Sequence, residues 1–106
     1  MLFEYVKVEV LIPEEYIVRL RDELNAIGTL TVGNYDHVIS YSAVKGYYRP
    51  LEEANPYLGQ IGKISSGTEC KMEFCCLYSR MEDVKTVIKH IHPYEEPVIY
   101  FHPVFV

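Results

Sequence analysis

The residues able to do chemistry are densest in one short stretch, His92-Pro93-Tyr94-Glu95-Glu96-Pro97. An imidazole, a phenol and two adjacent carboxylates are held between prolines, which fix φ at their own positions and turn their predecessors, His92 and Glu96, away from the α region. The segment is a stiff elbow. His92 is a candidate metal ligand or phosphate partner, and equally a hydrogen-bonded turn residue. In extended backbone the side chains of Glu95 and Glu96 diverge, so this pair alone makes no two-carboxylate cage, and one of them is expected to face a cleft. Tyr94 reads as a packing ring with an anchored hydroxyl, because an unperturbed phenol titrates at about pH 10.

A second group lies in the loop from Lys45 to Ser66. Arg49 can fork onto phosphate or carboxylate, and Gly46, Asn55, Gly59 and Gly62 around it let backbone approach an anion. The competing reading is that the glycines shape the loop while Arg49 pairs with Glu52 or Glu53. No Walker or G-x-G-x-x-G pattern is present. Catalytic zinc needs about three convergent protein ligands, and no spacing here supplies them. No residue is assigned a catalytic role.

Two helices and four strands must position these groups. Residues 2 to 10 alternate, with Val6, Val8 and Val10 opposed to Lys7 and Glu9, the period of a strand with one wet face. Pro13, the acidic Glu14 and Glu15, and the stripe Ile17, Leu20, Leu24, Ile27 predict a helix over 13–27, stopped by Gly28. Gly33-Asn34 predicts a turn into a second strand over 38–44, with Ile39, Tyr41 and Ala43 opposed to Ser40 and Ser42. A third strand, 68–78, sets Cys70, Met72, Phe74 and Cys76 against Glu69, Lys71, Glu73 and Cys75. Ser79 and Glu82 are spaced as a capping box before the stripe Val84, Val87, Ile88, Ile91, which predicts a second helix leading to His92. A last strand follows over 98–106, with Pro103 admissible on an edge or at a bulge. The order βαββαβ predicts an α+β, ferredoxin-like fold, a four-stranded antiparallel sheet with both helices on one face.

A chain of 106 residues suits a single domain spanning 1–106. Its net charge of −5 lacks the basic footprint of nucleic-acid binding. Cys70, Cys75 and Cys76 are odd in number and form no C-x-x-C, which fits reduced thiols and predicts a cytoplasmic protein. No window approaches roughly 18 apolar residues, so no membrane association is expected.

Taken together, Gly33-Asn34-Tyr35, Gly46-x-x-Arg49-Pro50, Ala54-Asn55-Pro56-x-x-Gly59-x-x-Gly62, Glu69-x-x-x-Glu73 and the elbow resemble the insert domain of YqfO-type proteins. These belong to the Ngg-interacting-factor-three-like family of dinuclear-metal proteins, whose insert is similar to PII signalling proteins and CutA divalent-cation-tolerance proteins. The resemblance covers residues 3 to 105. The sequence departs from the family pattern at Ser65 and Thr68, where acidic residues are frequent, and at Lys71, where Arg is frequent. The chain looks like a stand-alone insert without the domain that carries the paired metals.

The resemblance implies a homotrimer of PII/CutA-like subunits with a small anionic ligand or a divalent metal in the subunit clefts. The ligand residues it points to are Arg49, Asn34, Tyr35, Asn55, Gly59, Gly62 and Tyr94, and those for a metal are His92, Glu95 and Glu96. The expected function is a binding or regulatory module, not a hydrolase on its own. A metal-dependent hydrolase and a purely structural interaction protein are the alternatives. Tyr5, Ile39, Tyr41 and Cys75 are expected on the sheet face that the helices leave open.

Overall fold

The computed structural model describes residues 2–106. In chain order the elements are β1 (Tyr5–Ile12), α1 (Ile17–Ala26), β2 (Ser40–Tyr48), β3 (Ser65–Leu77), α2 (Met81–Ile91) and β4 (Ile99–Val104). They form one antiparallel sheet in the order β2-β3-β1-β4, with β1 paired to both β3 and β4. The alternation seen in the sequence becomes burial. Val6, Val8, Val10 and Ile12 of β1 and Cys70, Met72, Phe74 and Cys76 of β3 are buried in one cluster with Ile17, Leu20 and Leu24 of α1 and Val84, Ile88 and Ile91 of α2. Both helices cover the same face, as two apolar stripes sharing one apolar sheet surface require.

Local physics moves several boundaries. Pro13 does not open an α-helix directly: Glu14–Tyr16 form a 3-10 turn, closed by the Tyr16 N–H on the Pro13 carbonyl at 3.0 Å, and α1 begins at Ile17. Gly28 takes φ +77° just past the end of α1, and its N–H bonds the Asn25 carbonyl. The buried Thr29 hydroxyl donates to the Leu24 carbonyl at 2.9 Å, satisfying another orphan of the last turn.

The Ser79–Glu82 capping box does not form. The chain enters α2 through a second 3-10 turn, Tyr78–Arg80, and no side chain caps the helix. Arg80 links this entry instead, donating to Asp83 at 2.9 Å and to the carbonyl of Ile27, the C-cap of α1, at 2.7 Å. The 3-10 turn puts Arg80, not Ser79, at the N-cap, so the Ser79 hydroxyl is out of position for the motif.

The second strand starts later and runs further than 38–44. Lys45 to Tyr48 continue the ladder against Thr68 to Ser65, which shortens the connecting loop to 49–64. This arm carries little apolar alternation because neither of its faces is covered. Register also reassigns the faces. Tyr41 pairs with Met72 and Ala43 with Cys70, so Tyr41 lies on the helix-bearing side, and Ile39 packs against the core. Of the four residues expected on the open face, Tyr5 and Cys75 lie there, beside Leu77 and Lys7 in register.

The open face carries a charged row. Lys7 bridges Glu73 at 3.1 Å and Glu9 at 3.5 Å, Lys71 reaches Glu73 at 3.4 Å, and His102 lies 3.6 Å from Glu9. Lys7 holds the Glu73 carboxyl below the usual carboxylate range. The thiols divide by face: burial pushes Cys76 up to about 11 and raises Cys70 as well, whereas Cys75 is exposed.

Candidate functional site

Helix α2 ends at Ile91, and His92 turns to extended backbone (φ −66°, ψ 131°) ahead of Pro93. The imidazole is buried. Its Nε2 contacts the carbonyl oxygen of Leu11 on β1, and its Nδ1 lies 3.2 Å from the Tyr94 N–H. A carbonyl only accepts and an amide N–H only donates, so Nε2 carries the proton and Nδ1 the lone pair. His92 therefore fastens the elbow to the end of β1 as a neutral ring, and neither nitrogen is left for another partner.

Burial lowers the His92 pKa from its ordinary 6.5, against the opposing pull of the Leu11 carbonyl and Glu69. Below that ordinary value the unfolded chain binds a proton that the folded chain resists, so stability rises with pH across this window. The His92 contribution should be complete above pH 6.5 and lost progressively as pH falls towards the folded-state pKa. Denaturant midpoints measured from pH 5 to 8 check this, and in His92→Gln that part of the slope should disappear.

Tyr94 is anchored. Its hydroxyl donates to the Glu69 carboxylate of β3 at 3.0 Å, and its ring lies 4.7 Å from the His92 ring and 5.9 Å from that of Tyr57. Burial first, and the Glu69 carboxylate second, push the phenol well above its usual range, so it remains a hydrogen-bond donor. The backbone bends at 94–96 instead of running extended, and the adjacent carboxylates, expected to diverge, both line one groove. Glu95 accepts the Asn55 N–H at 2.9 Å, while Glu96 is exposed.

That bond joins the elbow to the loop 49–64, forty positions earlier in the chain. The two segments meet within one subunit. The loop is closed on itself by the Gly62 N–H on the Pro50 carbonyl at 2.8 Å, by the Ala54 N–H on the Leu51 carbonyl at 3.0 Å, and by the Tyr48 hydroxyl on the Leu58 carbonyl at 2.9 Å. Tyr57 carries it towards the 3-10 turn before α1, where the Tyr16 phenol beside it raises the Tyr57 pKa.

Gly59 is a requirement of this closure. It takes φ +97°, and a Cβ there would sit 2.9 Å from the Ser65 Oγ and 3.1 Å from the Tyr48 ring. Gly59→Ala should cost more than about 1 kcal/mol and loosen the loop, since the positive φ and the crowding act together. Urea unfolding, with amide exchange across 49–64, measures both effects.

The remaining candidates are placed differently. Arg49 is exposed at the loop's start and forms no ion pair among the described residues, including with Glu52 or Glu53. Asn34 and Tyr35 belong to an exposed tight turn closed between Val32 and Tyr35, with Gly33 at φ +57°. No hydrogen bond joins that turn to the loop or the elbow among the described residues. Among the described residues no three His, Cys, Asp or Glu side chains converge as a metal set. With both nitrogens of His92 engaged, the elbow of one subunit presents Glu95 and Glu96 to a cation and no imidazole.

On its α2 side the elbow borders an open groove of about 430 Å³, lined by Lys85, Lys89, Tyr94, Glu95, Glu96, Pro97 and Ile99. Lys85 and Lys89 are groove residues with a signal in the sequence. They stand four residues apart, one turn of a helix, immediately before the elbow. Tyr57 gave no comparable signal, because its role depends on where the loop folds back.

No family model matches the chain. A GTP cyclohydrolase 1 type 2 homolog from Staphylococcus epidermidis is 38% identical over 97 residues, which is 92% of this chain and 26% of that protein. The crystal structure of a Bacillus cereus protein related to NIF3 superposes with a TM-score of 0.83 at 26% identity, over 98% of this chain and 26% of that one. The chain is homologous to one domain of the NIF3-related proteins. This NIF3-related domain spans about a quarter of the length of the curated relatives it matches. It also shares its fold with the periplasmic divalent cation tolerance protein CutA from Archaeoglobus fulgidus, at TM-score 0.72 and 17% identity over 96% of this chain and 85% of that one. No helix is long and apolar enough to cross a membrane among the described residues.

Proposed function

We propose that this NIF3-related domain is a small-ligand-binding regulatory module whose loop 49–64 reports occupancy of a site at the elbow. The observation that carries this reading is the bond from the Asn55 amide to the Glu95 carboxylate, which ties the loop to the elbow through an exposed acid. A rigid, doubly proline-bounded elbow loses little entropy when a ligand engages it, while Arg49 stands free on the loop to close over an anion. Gly59 and Gly62 at positive φ give the loop backbone the curvature such a closure uses. Tyr94 supplies the wall between loop and elbow.

The module works as a homotrimer in this reading. Support comes from the unlike edges of the sheet. β2 offers an exposed, nine-residue outer edge with no proline, whereas β4 is short and carries Pro103, which lacks an N–H. Tyr47 and Ile64, 81% and 74% exposed near the loop, add apolar surface that a neighbouring subunit would cover. Light scattering at micromolar concentration is expected to give a trimer, and a monomer would contradict the assembly.

The name of the Archaeoglobus fulgidus neighbour adds divalent cations to the ligands worth testing, with Glu95 and Glu96 as their carboxylates. A thermal-shift panel of divalent metals, nucleotides and organic anions tests the module. A true ligand at 100 times its Kd should add about 2.7 kcal/mol, and Arg49→Ala should remove that gain if the ligand is an anion. No stabilisation by any of the three classes would contradict the reading.

A further inference from the structure

The groove between α2 and the elbow carries both signs of charge. Lys85 and Lys89 line one side, one helical turn apart, and Glu95 and Glu96 line the other. Neither lysine lies within ion-pair distance of a carboxylate among the described residues, although two carboxylates share the same 430 Å³. The macrodipole of α2 favours lysine in its last turn and so accounts for Lys89 by itself. It does not account for opposite charges facing across a groove without meeting. Pro97 and the half-buried Ile99 supply apolar wall between them. Glu95 is already held by the Asn55 amide, which leaves Glu96 as the free acid opposite two free ammonium groups.

We infer that this groove is a binding site for a small zwitterion of the α-amino-acid type, its carboxylate on Lys85 and Lys89, its ammonium on Glu96, and its side chain against Pro97 and Ile99. Such a ligand satisfies both unpaired signs at once, which a simple anion or a simple amine cannot do. It also sits beside Glu95, whose Oε2 accepts the Asn55 amide, so charge brought to the groove acts on the same carboxylate that holds the loop. The inference rests on the module reading for that link, but not for the binding itself.

The test uses three probes of one carbon skeleton: L-norvaline, butylamine, which lacks its carboxylate, and pentanoate, which lacks its ammonium. Binding is followed through backbone amide resonances of the full chain. Norvaline should give saturable shifts centred on Lys85, Lys89, Glu96 and Ile99, at concentrations at least about tenfold below those needed for either fragment. Lys89→Gln and Glu96→Gln should each weaken it by about tenfold while leaving the rest of the spectrum in place. Pentanoate binding as well as norvaline, unchanged affinity in Glu96→Gln, or no saturable shift up to about 50 mM would each overturn the zwitterion site. Norvaline that binds the groove without altering amide exchange at Asn55 would uphold the site and contradict the module reading of the loop. Loop responses to other ligands, with no norvaline binding, would do the reverse.

Discussion

Ile88→Ala is expected to destabilise the domain by about 2–5 kcal/mol, the largest single effect anticipated here. Ile88 is fully buried, in the middle of the stripe by which α2 seats on the sheet between Val84 and Ile91. Truncation removes transfer free energy and leaves a cavity that β1 and β3, locked in register on both sides, cannot collapse to fill. Because a domain of this size is stable by only about 5–15 kcal/mol, the melting temperature should drop by roughly 10 °C or more. Differential scanning calorimetry measures this. The elbow should loosen as well, since α2 is the element that delivers the chain to His92.

His92→Ala is expected to cost about 1–3 kcal/mol, mainly by leaving the Leu11 carbonyl without its donor and the Tyr94 amide without its acceptor. The loss should be local as well as global. With the imidazole gone, the end of β1 and the elbow are no longer tied, and the Tyr94 ring loses the neighbour 4.7 Å away that steadies it against Tyr57. His92→Gln, whose amide can still donate to the Leu11 carbonyl, should recover part of the stability. Equal destabilisation by alanine and glutamine would show that packing, not the hydrogen bond, is what His92 supplies. Chemical denaturation of the three proteins separates these outcomes.

The sequence made the core easy to read because burial in this fold follows strict periods. Val6, Val8 and Val10 at spacing two, and Val84, Ile88 and Ile91 along one helical stripe, each name a single surface, and those surfaces fit together in only a few ways. The arm from Lys45 to Tyr48 was not legible, because a strand covered on neither face has no alternation to display, and its pairing with Ser65 to Thr68 is a matter of backbone alone. Tyr41 misled for a related reason: its face is fixed by register with Met72, and register is a tertiary property. The capping box at Ser79 failed because the 3-10 turn Tyr78–Arg80 puts Arg80, not Ser79, at the N-cap of α2.

The candidate site was legible in part. Prolines and acids marked the elbow, and glycines marked the loop, since both impose local backbone constraints. What the spacing could not carry was that His92 is consumed by Leu11, or that Glu95 reaches the Asn55 amide, because both partners come from distant turns of the chain. The same bond makes the two segments one unit within a subunit.

The amide of Asn55 offers the most direct measurement, because the central claim is that Glu95 holds the loop 49–64 on the elbow. Hydrogen exchange at that amide should be slowed in the native protein and should accelerate by about tenfold or more in Glu95→Ala, with the exchange of β1 and β3 core amides unchanged. Equal exchange at Asn55 in the two proteins would contradict the account, because the loop would then be held by something other than the elbow.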